Sequence, residues 1–184
     1  MLNEKLGIDD KDQKIISMLE ADSNSSQSEI AETVGLSQPS VGMRIHKLKQ
    51  KGIISTIIGM NFRKVNLFLA KVDVTTTDTE KVIKSFDKCA FFLNGLIVSG
   101  TENLCLFFMS PDLVTLEGVI NYHLRAHPNV TGVKMEIVIN PVKDFVFPVN
   151  LCEQSIRDKK EFKEKCHNCP YRTTLYSESQ AEKR

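Results

Sequence analysis

Residues 28–52 read SEIAETVGLSQPSVGMRIHKLKQKG, and the punctuation of this stretch is helix, tight turn, helix. Just before and within it, Ser26 and Glu29 stand at the spacing of a capping box, in which the serine accepts from an early amide and the glutamate reaches back. A helix through Ile30, Ala31 and Val34 is therefore expected to start there. Gly35 stops it, because the position just past a helix end favours a left-handed backbone that glycine adopts without a Cβ penalty, and Leu36 pins the turn. Ser37 is placed to cap the next helix, with Pro39 in its first turn, where a missing amide costs little. Val41, Ile45 and Leu48 recur at helical spacing and face inward, which leaves Gln38, Ser40, Met43, Arg44, His46, Lys47 and Lys49 outward.

The charge distribution gives that outward face a meaning. From Thr33 to Val72 there is no Asp or Glu, while Arg44, Lys47, Lys49, Lys51, Arg63, Lys64 and Lys71 all fall inside. Even spreading would put about five acids there, so a chain of net charge +1 has gathered its positive charge around the motif. A basic helix-turn-helix is a nucleic-acid footprint, and the outward set can enter the major groove of double-stranded DNA. Arg44 and Lys47 are the expected principal contacts, reaching phosphates or a guanine edge, and Gln38 and Ser40 suit closer backbone or base contacts. The competing reading is a solvated charged face on an ordinary helical bundle. Few aromatics and no Trp leave no stacking platform, so duplex is favoured over single strands.

With 184 residues there is room for a DNA-binding unit and a second core. The N-terminal MLNEKLGIDDKDQ is charged rather than apolar, and no apolar run reaches the length needed to span a bilayer, so a cytoplasmic protein with no membrane partner is expected. Five Cys in such a chain read as thiols that bind metal or stay reduced rather than as structural disulfides.

After the basic window the periodicity changes. Leu67 to Val74 alternates like a strand, Asp78 to Phe86 reads as a helix, Asn94-Gly95 as a turn, and Leu96 to Ser99 as a buried strand. Leu104 to Met109 is a further strand, Pro111 and Asp112 open a helix carrying Leu113, Leu116, Val119 and Ile120, and Val133 to Ile139 is the last strand. Strand-helix-strand twice over is a ferredoxin-like βαββαβ arrangement, which makes the chain α+β. With the helices on one side, the opposite sheet face is expected to be apolar and covered by a second copy, and a dimer suits DNA. The organisation expected is a DNA-binding domain at 1–60, a linker at 61–66, the βαββαβ domain at 67–149 and a tail at 150–184.

Ile8-Asp9-x-x-Asp12, Ile30-Ala31, Gly35-Leu36-Ser37, Arg44-Ile45-x-x-Leu48 and Gly52-Ile53-Ile54, followed by that module, resemble the Lrp/AsnC family of leucine-responsive, feast/famine transcription regulators. The resemblance runs from Ile8 to about Val149. It implies a winged helix-turn-helix with its recognition helix at Gln38 to Lys51, a β-linker including Ile57 and Ile58, and a C-terminal domain that dimerises and binds small effectors. It further implies assembly into tetramers or octamers and response to amino acids.

Two departures from the family pattern stand out. At the turn expected to hold the effector, Gly followed three residues later by Asp is replaced by Gly100-Thr101-Glu102-Asn103. An amino acid brings an ammonium and a carboxylate, and Asn103 is a weaker counter-charge than Asp, with Glu102 one position away. The alternative is a plain hairpin turn. The second departure is the tail, which carries Cys152, Cys166, His167 and Cys169. The Cys166-x-x-Cys169 spacing lets two sulfurs share zinc or another thiophilic metal, with Cys152 as third ligand and His167 or a partner's residue as fourth. The intervening EQSIRDKKEFKEK is helix-forming, and one unbroken helix would hold Cys152 and Cys166 about 20 Å apart. Free thiols and a Cys166–Cys169 disulfide are the alternatives.

His123 and His127 lie four apart without an accompanying carboxylate, and Cys89 and Cys105 read as small core residues. An enzyme is the competing class, since sirohaem decarboxylases resemble this family in fold and domain order. Catalysis would need convergent acid, base or tetrapyrrole-anchoring groups, and the strands supply few His, Tyr or Arg; Tyr122, His123 and Arg125 cluster near one helix instead. An effector-independent architectural DNA protein is the third reading.

Overall fold

The computed structural model describes residues 2–86, 89–148 and 170–171 and divides into two compact units, Met1–Thr56 and Ile57–Arg184. In the first unit α1 (Leu2–Leu6) precedes α2 (Asp10–Ala21), α3 (Gln27–Val34) and α4 (Gln38–Gln50). Ile15 of α2, Ile30, Ala31 and Val34 of α3, and Val41 of α4 form its buried core, with Met18, Leu19, Leu36 and Ile45 packed around it. Leu48 is buried as well. These are the positions that helical spacing turns inward.

The second unit holds β1 (Met60–Asn61), β2 (Phe68–Thr76), α5 (Thr79–Lys84), β3 (Phe92–Ile97), β4 (Leu104–Ser110), α6 (Leu113–Ile120), β5 (Val130–Ile137) and β6 (Val146–Phe147). A single π-helical turn, Asn121–Arg125, continues α6. The four-stranded antiparallel sheet runs β3-β4-β2-β5, the strand order of a ferredoxin-like fold. Ala70, Val72 and Val74 of β2 pair with Phe108, Leu106 and Leu104 of β4 and share one face, which packs with Leu116, Val119, Ile120 and Leu124 into the main core.

The opposite face differs from expectation. Rather than being apolar throughout, it is split: Leu69, Phe107 and Met109 at one end pack with Phe62, Phe145 and Phe147 of the β1–β6 ribbon and its flanks. At the other end Lys71 is paired with Asp73 and with Glu136 at 3.2 Å, and Lys134 with Glu136 at 2.8 Å. The alternation of β2 places Lys71 and Asp73 on this face because Ala70, Val72 and Val74 occupy the other.

Two further expectations are corrected. Asn94 and Gly95 lie inside β3, paired with Phe107 and Leu106 after a register shift that follows Phe92, and the chain turns instead between Ile97 and Leu104. Leu96 and Ile97 are exposed rather than buried, since β3 is an edge strand. Asn61 belongs to β1 and Phe62 is buried, and Ile57 and Ile58 precede the β1 strand as exposed residues.

Candidate nucleic-acid interface

The helix-turn-helix is assembled by caps. Asp9 caps α2 and forms a capping box with Asp12. In the box opening α3, the Ser26 amide donates to Glu29 Oε2 at 2.7 Å and the Glu29 amide donates to Ser26 Oγ at 3.2 Å. Those bonds hold the Glu29 carboxyl below its ordinary value, the backbone amide of Ser26 contributing most. Gly35 closes α3 at φ 64°, where a side chain would be strained, and Leu36 donates its amide to Ala31 O at 3.0 Å. Ser37 caps α4, and its hydroxyl also lies 2.8 Å from that of Ser40.

Gln38, Met43, His46, Lys47 and Lys49 are all exposed on α4, with Met43 at 70%. They form a polar and basic face whose only large apolar residue is Met43. Ser40 is half-buried, and its pairing with Ser37 occupies part of its hydrogen-bonding capacity.

Arg44 is placed differently from its neighbours. Its Nη1 donates to Asp12 Oδ1 at 2.7 Å and to Asp9 Oδ2 at 2.8 Å, so the guanidinium ties α4 to the N-terminus of α2. The two carboxylates raise the Arg44 pKa, Asp12 contributing more than Asp9. Asp9 is in turn lowered, first by the Asp12 backbone amide and then by Arg44. The arrangement orients the motif and leaves Lys47 and Lys49 as the long cations projecting outward from α4. Nothing in the local helical pattern marked the role of Arg44, because its partners are 32 and 35 residues away. The presence of Asp9 and Asp12 at the start of another helix was the available signal.

The residues expected to hold an effector form the β3–β4 connection. Thr101 and Glu102 are exposed and Gly100 has φ 131°. Asn103 is engaged within the fold: its Nδ2 donates to Thr76 O at 2.8 Å, and its Oδ1 accepts from the Thr76 amide at 3.0 Å. The side-chain amide thus imitates a strand neighbour where β2 bulges against β5.

Cys152, Cys166, His167 and Cys169 lie outside the described residues. Among the described residues no group of three or more His, Cys, Asp or Glu is placed to hold a metal. His123 is buried, whereas His127 Nδ1 accepts from the Asn129 amide at 3.2 Å. Arg125 pairs with Glu117 and Tyr122 is exposed, so the three residues of that helical segment do not converge. Cys89 is buried in the main core; Cys105 is half-buried, with its thiol pushed up by burial and then by Asp73.

Residues 8–49 match the AsnC-type helix-turn-helix domain. Regulatory protein AsnC of Haemophilus influenzae is 28% identical over 118 residues, covering 61% of this chain and 79% of the relative. The HTH-type transcriptional regulator LrpA of Pyrococcus horikoshii is 26% identical over 140 residues, covering 74% and 99%. A solved transcriptional regulator, NMB0573 of Neisseria meningitidis in complex with L-Met, aligns with a TM-score of 0.62 at 21% identity over 78% of this chain and 97% of that one. No helix among the described residues is long and apolar enough to cross a membrane. With an AsnC-type helix-turn-helix at residues 8–49 followed by a ferredoxin-like sheet domain, the chain is a DNA-binding transcription regulator similar in sequence and fold to regulators of the Lrp/AsnC type.

Proposed function

We propose that α4 is the recognition helix and that Gln38, Met43, His46, Lys47 and Lys49 meet duplex DNA directly, while Arg44 acts by fixing the helix against Asp9 and Asp12. The observation carrying this reading is the outward face of α4, where exposed cations stand without an acidic neighbour on the helix. Ser40 joins them through its hydroxyl near the helix start, its amide being taken by the Ser37 cap. The test is binding of the full chain to genomic fragments selected by footprinting, with Lys47→Ala and Lys49→Ala. Unchanged affinity and unchanged salt dependence in the double variant would sink it.

The regulator is proposed to act in the cytoplasm as a two-fold dimer through its sheet domain, assembling further into tetramers or octamers. Two recognition helices would then read half-sites about one DNA turn apart or a multiple of it. Support comes from the open sheet face, whose alternating Lys71, Asp73, Lys134 and Glu136 can complement themselves across a two-fold axis. Sedimentation showing only monomer, with and without DNA, would contradict the dimer.

An amino-acid effector is proposed at Gly100, Thr101 and Glu102, with Asn103 shaping the loop rather than serving as counter-charge. The L-Met complex of NMB0573 supports the ligand class. Calorimetry across the amino acids, with Glu102→Ala and a bulky substitution of Gly100, tests the position; a response surviving both moves the site elsewhere. Zinc or another thiophilic ion is proposed at Cys166 and Cys169 with Cys152 and His167, on the sequence spacing alone. Metal-free protein recovered under reducing conditions with zinc supplied would defeat that assignment.

A further inference from the structure

The outward side of α6 carries a feature that the regulator function leaves unused. The helix reads LVTLEGVI, with Leu116, Val119 and Ile120 buried against the sheet and Leu113 and Val114 outside, Val114 at 82% exposure. Gly118 lies one turn after Val114 and one turn before the exposed Tyr122, yet Gly118 itself is buried. What covers it is Tyr171 of the C-terminal tail. A Cβ placed on Gly118 would lie 2.2 Å from Tyr171 Cζ, 2.4 Å from its Oη and 2.5 Å from Cε1. The tyrosine is partly buried against the main core, although it is separated from the last strand by more than twenty residues of chain.

We propose that the outer stripe of α6 is a docking site for this protein's own C-terminal tail, with Tyr171 as the anchor and Gly118 as the notch that admits its ring. Three observations converge. Glycine in the middle of a helix weakens it relative to alanine, so its presence here is accounted for by the ring that needs the space. The stripe is apolar on both sides of the notch and suits an aromatic ring. The occupant is seated on it in the structure and belongs to the same compact unit. Tyr171 follows Cys166 and Cys169 closely in the sequence. The docking does not depend on whether the pair binds metal.

Amide hydrogen exchange of the full-length chain tests it, read in peptides spanning 113–125. Tyr171→Ala should raise exchange in this helix about tenfold, while Tyr171→Phe, which keeps the ring, should leave it as in the wild type. Gly118→Ala separates the alternatives by sign. On an uncovered helix, alanine slows exchange; with the ring docked it ejects Tyr171 and speeds exchange. Unchanged exchange in Tyr171→Ala, or slower exchange in Gly118→Ala, would overturn the proposal. A photo-crosslinker in place of Tyr171, in a mixture of isotopically heavy and light chains, should join to α6 within one chain. Crosslinks solely between heavy and light chains would assign the surface to a second copy's tail and overturn the intrachain docking.

Discussion

Arg44 on α4 donates to Asp12 at 2.7 Å, so a residue on the outward face of that helix is a brace between two helices of its own domain. The Arg44 side chain is 31% exposed and that of Asp12 16%, a partly dry setting in which losing one partner leaves the other uncompensated. Arg44→Ala should therefore lower the stability of the first unit by about 1–2 kcal/mol. Asp12→Asn should reproduce part of that loss without touching any DNA-facing atom. Thermal unfolding in the absence of DNA distinguishes this from a pure contact role, for which Arg44→Ala would leave the transition in place.

The same brace makes the first unit sensitive to acid. Asp9 titrates below the ordinary 3.8 in the fold, chiefly through the Asp12 amide and next through Arg44. A carboxylate with a depressed folded value contributes stability that is present above its unfolded value and is lost as pH falls through the folded one. Glu29, lowered by Ser26, adds in the same direction. Circular dichroism should show helix loss in a fragment of residues 1–56 below about pH 4, and Asp9→Asn should flatten that dependence.

Lys47 projects outward from α4 as an exposed side chain, the geometry of a phosphate contact. Lys47→Ala should weaken binding across sequences alike and reduce the slope of log affinity against log salt by about one. A loss confined to one operator, with the slope intact, would make Lys47 a base reader instead.

His123 offers a second pH dependence, located in the sheet domain. It is buried beside Phe86 and Tyr122, its Nε2 has no hydrogen-bond partner among the described residues, and burial lowers its pKa below 6.5 despite an opposing backbone bond with Ser85. The folded state holds the ring neutral while the unfolded chain takes a proton below 6.5, so stability falls as the medium is acidified from about pH 7. His123→Phe keeps the shape without the orphaned nitrogen and should stay within about 1 kcal/mol of the wild type at pH 8. It should also abolish the decline between pH 7 and about 5, as read by denaturant midpoints at each pH.

The caps and turn of the helix-turn-helix were legible because they are local: Ser26, Glu29, Gly35 and Ser37 act within four residues of themselves. The alternation that put Val72 and Leu106 in the core was legible for the same reason. What escaped were relations set by the tertiary fold. Asn94-Gly95 carries a strong turn signal, but the edge position of β3 and its register shift place the pair within a strand. The ion pairs that cross from Lys71 to Glu136 depend on strand register, which the apolar pattern does not reveal. Neither the Arg44 brace nor the seat of Tyr171 on Gly118 has a counterpart at short range.

Asn103 carries the last expectation, because its amide spans both backbone groups of Thr76 and thereby completes the edge of a bulge. Asn103→Ala would leave the Thr76 amide and carbonyl without their partner and should cost about 1–3 kcal/mol. Asn103→Asp is the sharper variant. It restores the charge expected of a counter-ion for an amino group, yet it replaces the donor facing Thr76 O with a second acceptor, so it too should destabilise. If the loop binds an amino acid through Glu102, Glu102→Ala should leave unfolding unchanged while weakening the ligand, and Asn103→Asp should shift unfolding even with no ligand present. Denaturation of the sheet domain that is identical in the wild type and Asn103→Asp would return Asn103 to the ligand site and remove its structural role.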